Sequence, residues 1–458
     1  MPSDATPSTE NQPAPPSLSG TLARLAGIGV VILSVVGGFL YLGGWFNPHE
    51  LTPARFVNGF EKVYGIHSGF RRNHAKGMCV TGYFDSNGQG ARLSKAVVFQ
   101  TGRVPVIGRF SLPGGSPYVS DTPASVRGMG LAFRPANGEE WRTAMIDIPV
   151  FAVRTAQGFY DQLLASKPDP ATGKPDPDKQ KAFFAAHPES ARAVTIIKAK
   201  PFSSGFDNST FNGLNAFRFI NAADVSTPVR WSMVPVDAFK PEDPAQSANP
   251  DKNYLFDDFI ARIHSGPVQW RLVLTVGQPG DPTDDATIPW PEAREQVDAG
   301  TLTLDGVEAE APGNCRDINL VSIHRPVGIL ILILVVIRFV NRRFSTLPPF
   351  PATMSSQERF IAHASEMLMY TLLFVQPLIG WGMLSAARYP IVLYGPLHLF
   401  PILPHNVMLY AALRTAHTVL AYLLFLTFIA HFGAVLFHTL ILRDRLFSRM
   451  APYRVAAR

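Results

Sequence analysis

The sequence predicts an α+β chain in two parts: an antiparallel β-barrel with appended helices, and a transmembrane four-helix bundle built from one N-terminal and three C-terminal spans. Three observations predict it. Between residues 51 and 319, short runs of alternating or clustered β-branched and aromatic residues are separated by Gly/Pro turns. These runs do not alternate with helices in a βα pattern, which favours a closed antiparallel barrel. Four apolar segments, Leu22–Phe46, Val321–Val340, Phe360–Ala386 and Leu413–Leu442, can each cross a hydrocarbon core of about 30 Å, which needs roughly 20 helical residues.

Residues 1–21 are rich in Ser, Thr, Pro and Asn and read as a disordered tail. Residues 22–46 form the first span. Its apolar run ends at Tyr41 and Trp45-Phe46 without a small-residue cleavage site, so it reads as an uncleaved anchor with aromatic residues at the interface. Residues 47–320 form the barrel domain. ARFVNGFEKVYG and TAQGFYDQLLAS have helical apolar spacing, and KAVVFQ, VPVIGRFSL, RGMGLAFRP, VRWSMVPV and VQWRLVLTVG read as strands. Residues 321–458 carry the other three spans.

Basic residues orient the spans. Arg338, Arg342, Arg343 and Arg359 flank one connection, and Arg443, Arg445, Arg449, Arg454 and Arg458 follow the last span. The connection from Arg388 to Asn406 holds a single arginine. The positive-inside rule puts the two basic groups in the cytoplasm, hence residues 50–320 outside and the N-terminus inside. The net charge of +6 is mostly this topological signal, so nucleic acid is not an expected partner; the lipid bilayer is. The two cysteines, Cys79 and Cys315, both fall in the exported part, where an oxidising compartment permits a disulfide. Two cysteines alone cannot supply a zinc or iron–sulfur site.

RRNHAKGMCVTGYF, residues 71–84, puts one histidine in a basic, glycine-lined setting just before a strand-like run. It resembles the distal-histidine segment of haem catalases. PVIGRFSLPGG (105–115), SVRGMGLAFR (125–134), IPVFAVRTAQGFYD (148–161) and SSGFDNSTFNGLNAFRF (203–219) extend the resemblance. PDPATGKPDP, DPTDDATIPWP and GNCRDIN are similar to the small catalase-related peroxidases of bacteria, which are exported and held by an N-terminal helix. The resemblance implies a haem in the barrel domain and hydrogen peroxide as substrate. It implies that His74 is the proton-transferring imidazole, that Ser111 orients it, and that Arg71 and Arg109 lie near the haem propionates, where a guanidinium fork meets carboxylates bidentately.

Two positions depart from that pattern. Catalases carry an asparagine before their Pro-x-Phe segment; aligned on Pro149, the residue here is Ile146, while Asp147 should face the other way on a strand. Losing such a donor costs about 3 kcal/mol of transition-state stabilisation by analogy with oxyanion donors. Catalases also bind iron through a tyrosine four residues after an arginine. Here GNCRDIN runs almost directly into the second span, and the chain's single Arg-x-x-x-Tyr, Arg449 to Tyr453, lies on the expected cytoplasmic side.

The last part of the chain holds His324, His363, His398, His405, His417, His431 and His438. Ionisable residues inside spans are costly and usually functional. His417 and His431 are fourteen residues apart on one helix, about 21 Å of rise and nearly four whole turns, so both face one side. SIHRPVGILILILVVIRF, AHASEMLMYTLLFVQPLIGWGML and RTAHTVLAYLLFLTFIAHFGAVLFHTLILRD resemble the last three helices of bacterial cytochrome b561, a family with b-type haems that oxidises quinol or reacts with superoxide. That resemblance implies one haem b with its iron between His324 and His417. A second would use His431 as iron ligand, with His363 as substitute partner because the first span has no histidine.

The two resemblances together imply a multi-pass protein of the bacterial inner membrane with a periplasmic catalase-like domain. It would reduce hydrogen peroxide with electrons from quinol or another membrane donor. The alternative is a b-type electron-transfer protein whose catalase-like domain is degenerate. Oligomeric state stays open, although catalases commonly assemble.

Overall fold

In the computed structural model the described residues are 17–46, 50–67, 70–123, 125–308, 319–345, 350, 354–389, 391–394 and 397–443. Residues 1–16 of the expected 1–21 tail, Cys315, and the basic residues Arg445, Arg449, Arg454 and Arg458 with Tyr453 lie outside them; Leu18 to Thr21 are helical, a correction to that tail. The chain divides into two units: residues 51–318 with 388–390, and residues 1–50, 319–387 and 391–458.

Helix α1 (Leu18–Leu42) starts ahead of its apolar run because the Ser17 hydroxyl caps it, accepting from Gly20 N at 3.2 Å. Helix α2 (Pro53–Tyr64) has Thr52 as N-cap, Pro53 in its first turn and Gly65 at φ +84° after its last turn. Strands β1 (Gly77–Ser86), β2 (Gly102–Ser111), β3 (Gly128–Phe133) and β4 (Trp141–Ile146) lead to helices α3 (Ala156–Ala165), α4 (Pro177–Ala186) and α5 (Pro188–Ala199). Strands β5 (Phe211–Ile220) and β6 (Ser226–Pro235), helix α6 (Tyr254–His264), and strands β7 (Val268–Val276) and β8 (Gln296–Glu308) complete this unit. Each strand pairs antiparallel with its successor, and β8 returns to β1, closing an eight-stranded barrel.

Alternation fills the barrel. On β7, Val268, Trp270, Leu272 and Leu274 are fully buried while their neighbours face outward, and Phe84, Phe110, Phe133 and Phe211 join them from other strands. KAVVFQ is a correction: it is not a strand but a 3-10 turn at Val97–Phe99. Val98 and Phe99 are both buried, and the Phe99 ring packs on Trp141 and Phe219. A short apolar run buried on successive residues does not announce its period. Cys79 on β1 is fully buried and disulfide-bonded.

The other unit contains α1, α7 (Asn319–Phe344), α8 (Ser356–Ala386) and α9 (Val407–Phe437), with a hairpin of β9 (Ile391–Tyr394) and β10 (Leu397–Leu399) between α8 and α9. All four helices are long and apolar enough to cross a membrane. Helix α9 packs against both α1 and α8, and α8 against α7. The α1–α9 pair is antiparallel: Arg24 donates to Leu440 O at one end, and Phe39 stacks on Phe425 nearer the other. A Ser355/Glu358 capping box starts α8, and Asn406 caps α9.

Candidate functional site

One rung of the barrel organises the first site. Gly77 pairs with Ser111, Ser111 with Gly128, Gly128 with Ile146, and Ile146 with Asn212, across five neighbouring strands. Residues directly opposite in antiparallel strands share a face, so Ser111, the bare Gly128 and Ile146 form a contiguous strip. His74 lies over it. Its Nδ1 is 3.0 Å from Ser111 Oγ, and its ring covers Gly128, where an added Cβ would stand 3.1 Å from His74 Cε1.

The loop that delivers His74 is held from several sides. His74 has φ +52°, the left-handed region that histidine tolerates better than most residues. Arg109 Nη1 donates to His74 O at 2.9 Å, and Nη2 to Ala75 O at 3.4 Å. Asn73 Oδ1 accepts from His74 N at 2.9 Å and Gly114 N at 2.8 Å, and Ala75 N donates to Gly114 O. Lys76 Nζ donates to Asp121 Oδ1, Val119 O and Lys252 O, all within 2.8 Å. These contacts offset a backbone strain on the order of 1–3 kcal/mol.

Burial, then the nearby charges of Arg109 and Arg71, lower the His74 pKa to about 4. The imidazole is therefore neutral at neutral pH. Arg109 is buried and directs donors to backbone carbonyls, and Gly77 must be glycine because that guanidinium lies on it. Its structural task here is the His74 loop. Asp147 does turn away from the strip: its Oδ1 accepts from Arg127 N at 2.7 Å, and Asp147 N donates back to Arg127 O. Arg127 is fully buried, with Nη1 donating to Ser203 and Ser209. This bracket fixes the ends of β3 and β4 where Gly128 and Ile146 sit. Sequence reasoning missed Asn73, Gly128 and the Arg127–Asp147 bracket, although all of them lie in or beside the quoted motifs.

The donor set fits haem on the His74 side. It does not supply the family's iron ligand: none of the barrel unit's tyrosines, Tyr64, Tyr83, Tyr118, Tyr160, Tyr254 and Tyr389, follows an arginine by four residues.

The second site is in the helical unit. His324 on α7 and His417 on α9 have ring centroids 6.2 Å apart and planes at 83°. A metal-bound imidazole nitrogen lies about 2 Å from the metal, and the ring centre about 1 Å beyond it. Two imidazoles that held one iron between them would stand with ring centroids about 6 Å apart, a spacing close to that of this pair. Gly380 on α8 leaves room for the His417 ring, with an added Cβ 3.1 Å from its Cε1. Gln376 Nε2 donates to His417 O at 2.8 Å.

His431 is differently placed. The Ser365 hydroxyl donates to Ala362 O, so it accepts from His431 Nδ1–H at 3.4 Å, leaving His431 Nε2 buried and unpartnered. His363 is exposed, two residues or about 200° around α8 from Ser365, so it faces away from His431. The structure does not bring these two histidines together. His405 Nδ1 bonds to the O of Ala386, the last residue of α8, and His398 lies on β10.

Residues 69–308 match the catalase family model, and residues 281–453 match the model of prokaryotic cytochrome b561. A catalase-related peroxidase of Synechococcus elongatus is 36% identical over 292 residues, 64% of this chain and 86% of that protein. Another, of Mycolicibacterium paratuberculosis, is 28% identical over 261 residues, 57% of this chain and 82% of that protein. A Pseudomonas syringae catalase is 30% identical over 236 residues. A solved bacterial catalase superposes with a TM-score of 0.48 at 22% identity, covering 57% of this chain and 54% of that one. The chain thus spans about half the length of these full-size catalases. On the extent of these matches, the chain belongs to the catalase family and carries a prokaryotic cytochrome b561 domain on the same polypeptide.

Proposed function

We propose that the chain is a membrane-held haem peroxidase that reduces hydrogen peroxide with electrons delivered through a b-type haem between His324 and His417. The observation that carries the peroxide half is the neutral His74 imidazole, seated on Gly128 and tied through Nδ1 to Ser111. With Nδ1–H donating to Ser111 Oγ, His74 Nε2 carries the lone pair. It accepts the proton of the peroxide's inner oxygen and returns it to the outer oxygen, which leaves as water. Haem, when bound, supplies the iron at which the O–O bond opens. Two electrons and two protons complete the reduction to two waters.

The electron half rests on the spacing of His324 and His417. Covalent linkage of the two units holds donor and acceptor at high effective concentration without a diffusive encounter. Membrane quinol is the donor this arrangement suits. The basic residues flanking the spans support a bacterial inner-membrane protein with the barrel unit on the periplasmic side, and the disulfide at Cys79 agrees with an oxidising compartment.

A second reading has its own observation. Ile146 occupies the strip beside His74, where it donates nothing, and the family's tyrosine is not found in the barrel unit. An electron-transfer cytochrome with a non-catalytic barrel would look the same there. Pyridine haemochrome quantitation with an absorption spectrum separates the two. The peroxidase reading expects low-spin bis-histidine haem plus a high-spin haem. Bis-histidine haem alone would favour the cytochrome, and no Soret band would remove both.

A further inference from the structure

A cavity of about 250 Å³ opens in the barrel unit between the 204–207 segment, the 242–246 turn and α6, away from His74. It holds roughly eight waters' worth of space. Its lining is acidic: Asp207, Glu242, Asp243 and Asp258 all face it. Asp243 is occupied as a cap, accepting from Ala245 N, but Glu242 Oε2 is buried with no hydrogen-bond partner. Tyr254 also lines the cavity, is 6% exposed, and its buried hydroxyl has no partner either. Native structures rarely leave such groups unpaired without a ligand or water to meet them.

The charges already present neutralise this four-carboxylate lining only in part. Arg262, the one cation among the described lining residues, bonds Asp237 and Gly266 O instead. Arg127 sits behind the wall, donating to the carbonyls of Pro123 and Gly205, 5.9 Å from the Phe206 ring centre, and its single charge is shared among Asp147, Tyr254, Glu242 and Asp207. Burial and the like charges of Asp251, Asp257 and Asp207 push the Asp258 carboxyl up, as expected where a counter-charge is wanting. Among the described residues no three carboxylate, histidine or cysteine groups come close enough to hold a metal ion. Phe206 and Phe259, with rings 5.5 Å apart, and Leu255 add an apolar wall. Carboxylates beside aromatic faces are the pattern that receives organic ammonium groups.

We propose that this cavity binds a small organic cation with N–H donors, of the alkylammonium class, which donates to Glu242 Oε2 and the Tyr254 hydroxyl while its carbon chain lies on Phe206 and Phe259. The site does not depend on haem or on the peroxide reading. Isothermal titration calorimetry on the detergent-purified full chain tests it, with n-butylammonium chloride as probe and 1-butanol as the neutral isostere. The expected result is saturable single-site binding of the ammonium and none of the alcohol. Glu242→Gln and Tyr254→Phe should each weaken binding about tenfold or more. Tyr254→Phe should leave the melting temperature of the ligand-free protein unchanged or higher, because its hydroxyl has no partner to lose. Absence of saturable heat, equal binding of butanol, full affinity in both variants, or displacement by calcium chloride would each overturn the proposal.

Discussion

Gly128→Ala is the smallest change that should disable the His74 site. Gly128 is not among the positive-φ glycines, so alanine suits its backbone. Only the new methyl matters, and it would lie 3.1 Å from His74 Cε1, 3.3 Å from Nδ1 and 3.3 Å from Ser111 Oγ. Ordinary carbon contacts lie at about 3.5–4.0 Å, so the imidazole must retreat by roughly 0.5 Å, and its loop is pinned by Arg109 and Asn73. Overpacking of this kind costs about 1–3 kcal/mol. Displacing a proton-transferring group by about 1 Å can cost on the order of a hundredfold in rate, and the lost Ser111 bond adds to that. We expect peroxide consumption to fall about ten- to a hundredfold with haem content unchanged. Gly130→Ala is the control: it lies two residues along the same strand, and an added Cβ there would meet nothing closer than 3.9 Å. If Gly128→Ala matched wild type in a peroxide-decay assay, the seat would be irrelevant and the reasoning refuted.

Other outcomes follow from the same geometry. His74 has a folded pKa of about 4 against an ordinary 6.5, so the unfolded chain takes up this proton first. Its contribution to stability is present above pH 6.5 and lost as pH falls towards 4, about 3 kcal/mol over that window. Denaturant melts of wild type and His74→Gln should diverge in pH slope there and run parallel above it. His417→Ala should abolish the low-spin b-type spectrum, whereas His363→Ala should leave it intact; loss of haem in the latter would contradict the placement of His363. Ile146→Asn puts a donor on the strip beside Gly128 and should raise the peroxide rate, by up to about a hundredfold for a well-placed donor; an unchanged haem content with a slower rate would count against that strip facing the substrate.

Much of the architecture was legible because burial follows a simple period. VQWRLVLTV alternates and is β7, and ARFVNGFEKVY with its Thr52 cap and following Gly65 is α2. KAVVFQ was not legible, since Val98 and Phe99 are buried on successive residues and leave no period to read. The closeness of His324 and His417 was expected from the cytochrome b561 resemblance, since each lies near the start of its span. His363 could not, because its exclusion is a matter of helix phase relative to Ser365. The His74–Ser111 contact joins residues 37 apart on different elements, and only the motif resemblance linked them. Gly128 was quoted within a strand motif, but its role depends on barrel register, which no local pattern encodes.

The most direct test is a stopped-flow experiment on the intact chain. The proposed b-type haem is reduced with dithionite, excess reductant is removed, and hydrogen peroxide is added to wild type and His74→Ala. Rapid reoxidation in wild type and slow reoxidation in the variant, at equal haem content, is the expected result. Equal rates in the two proteins would mean that His74 does not serve the reduction of peroxide, and the account would fail.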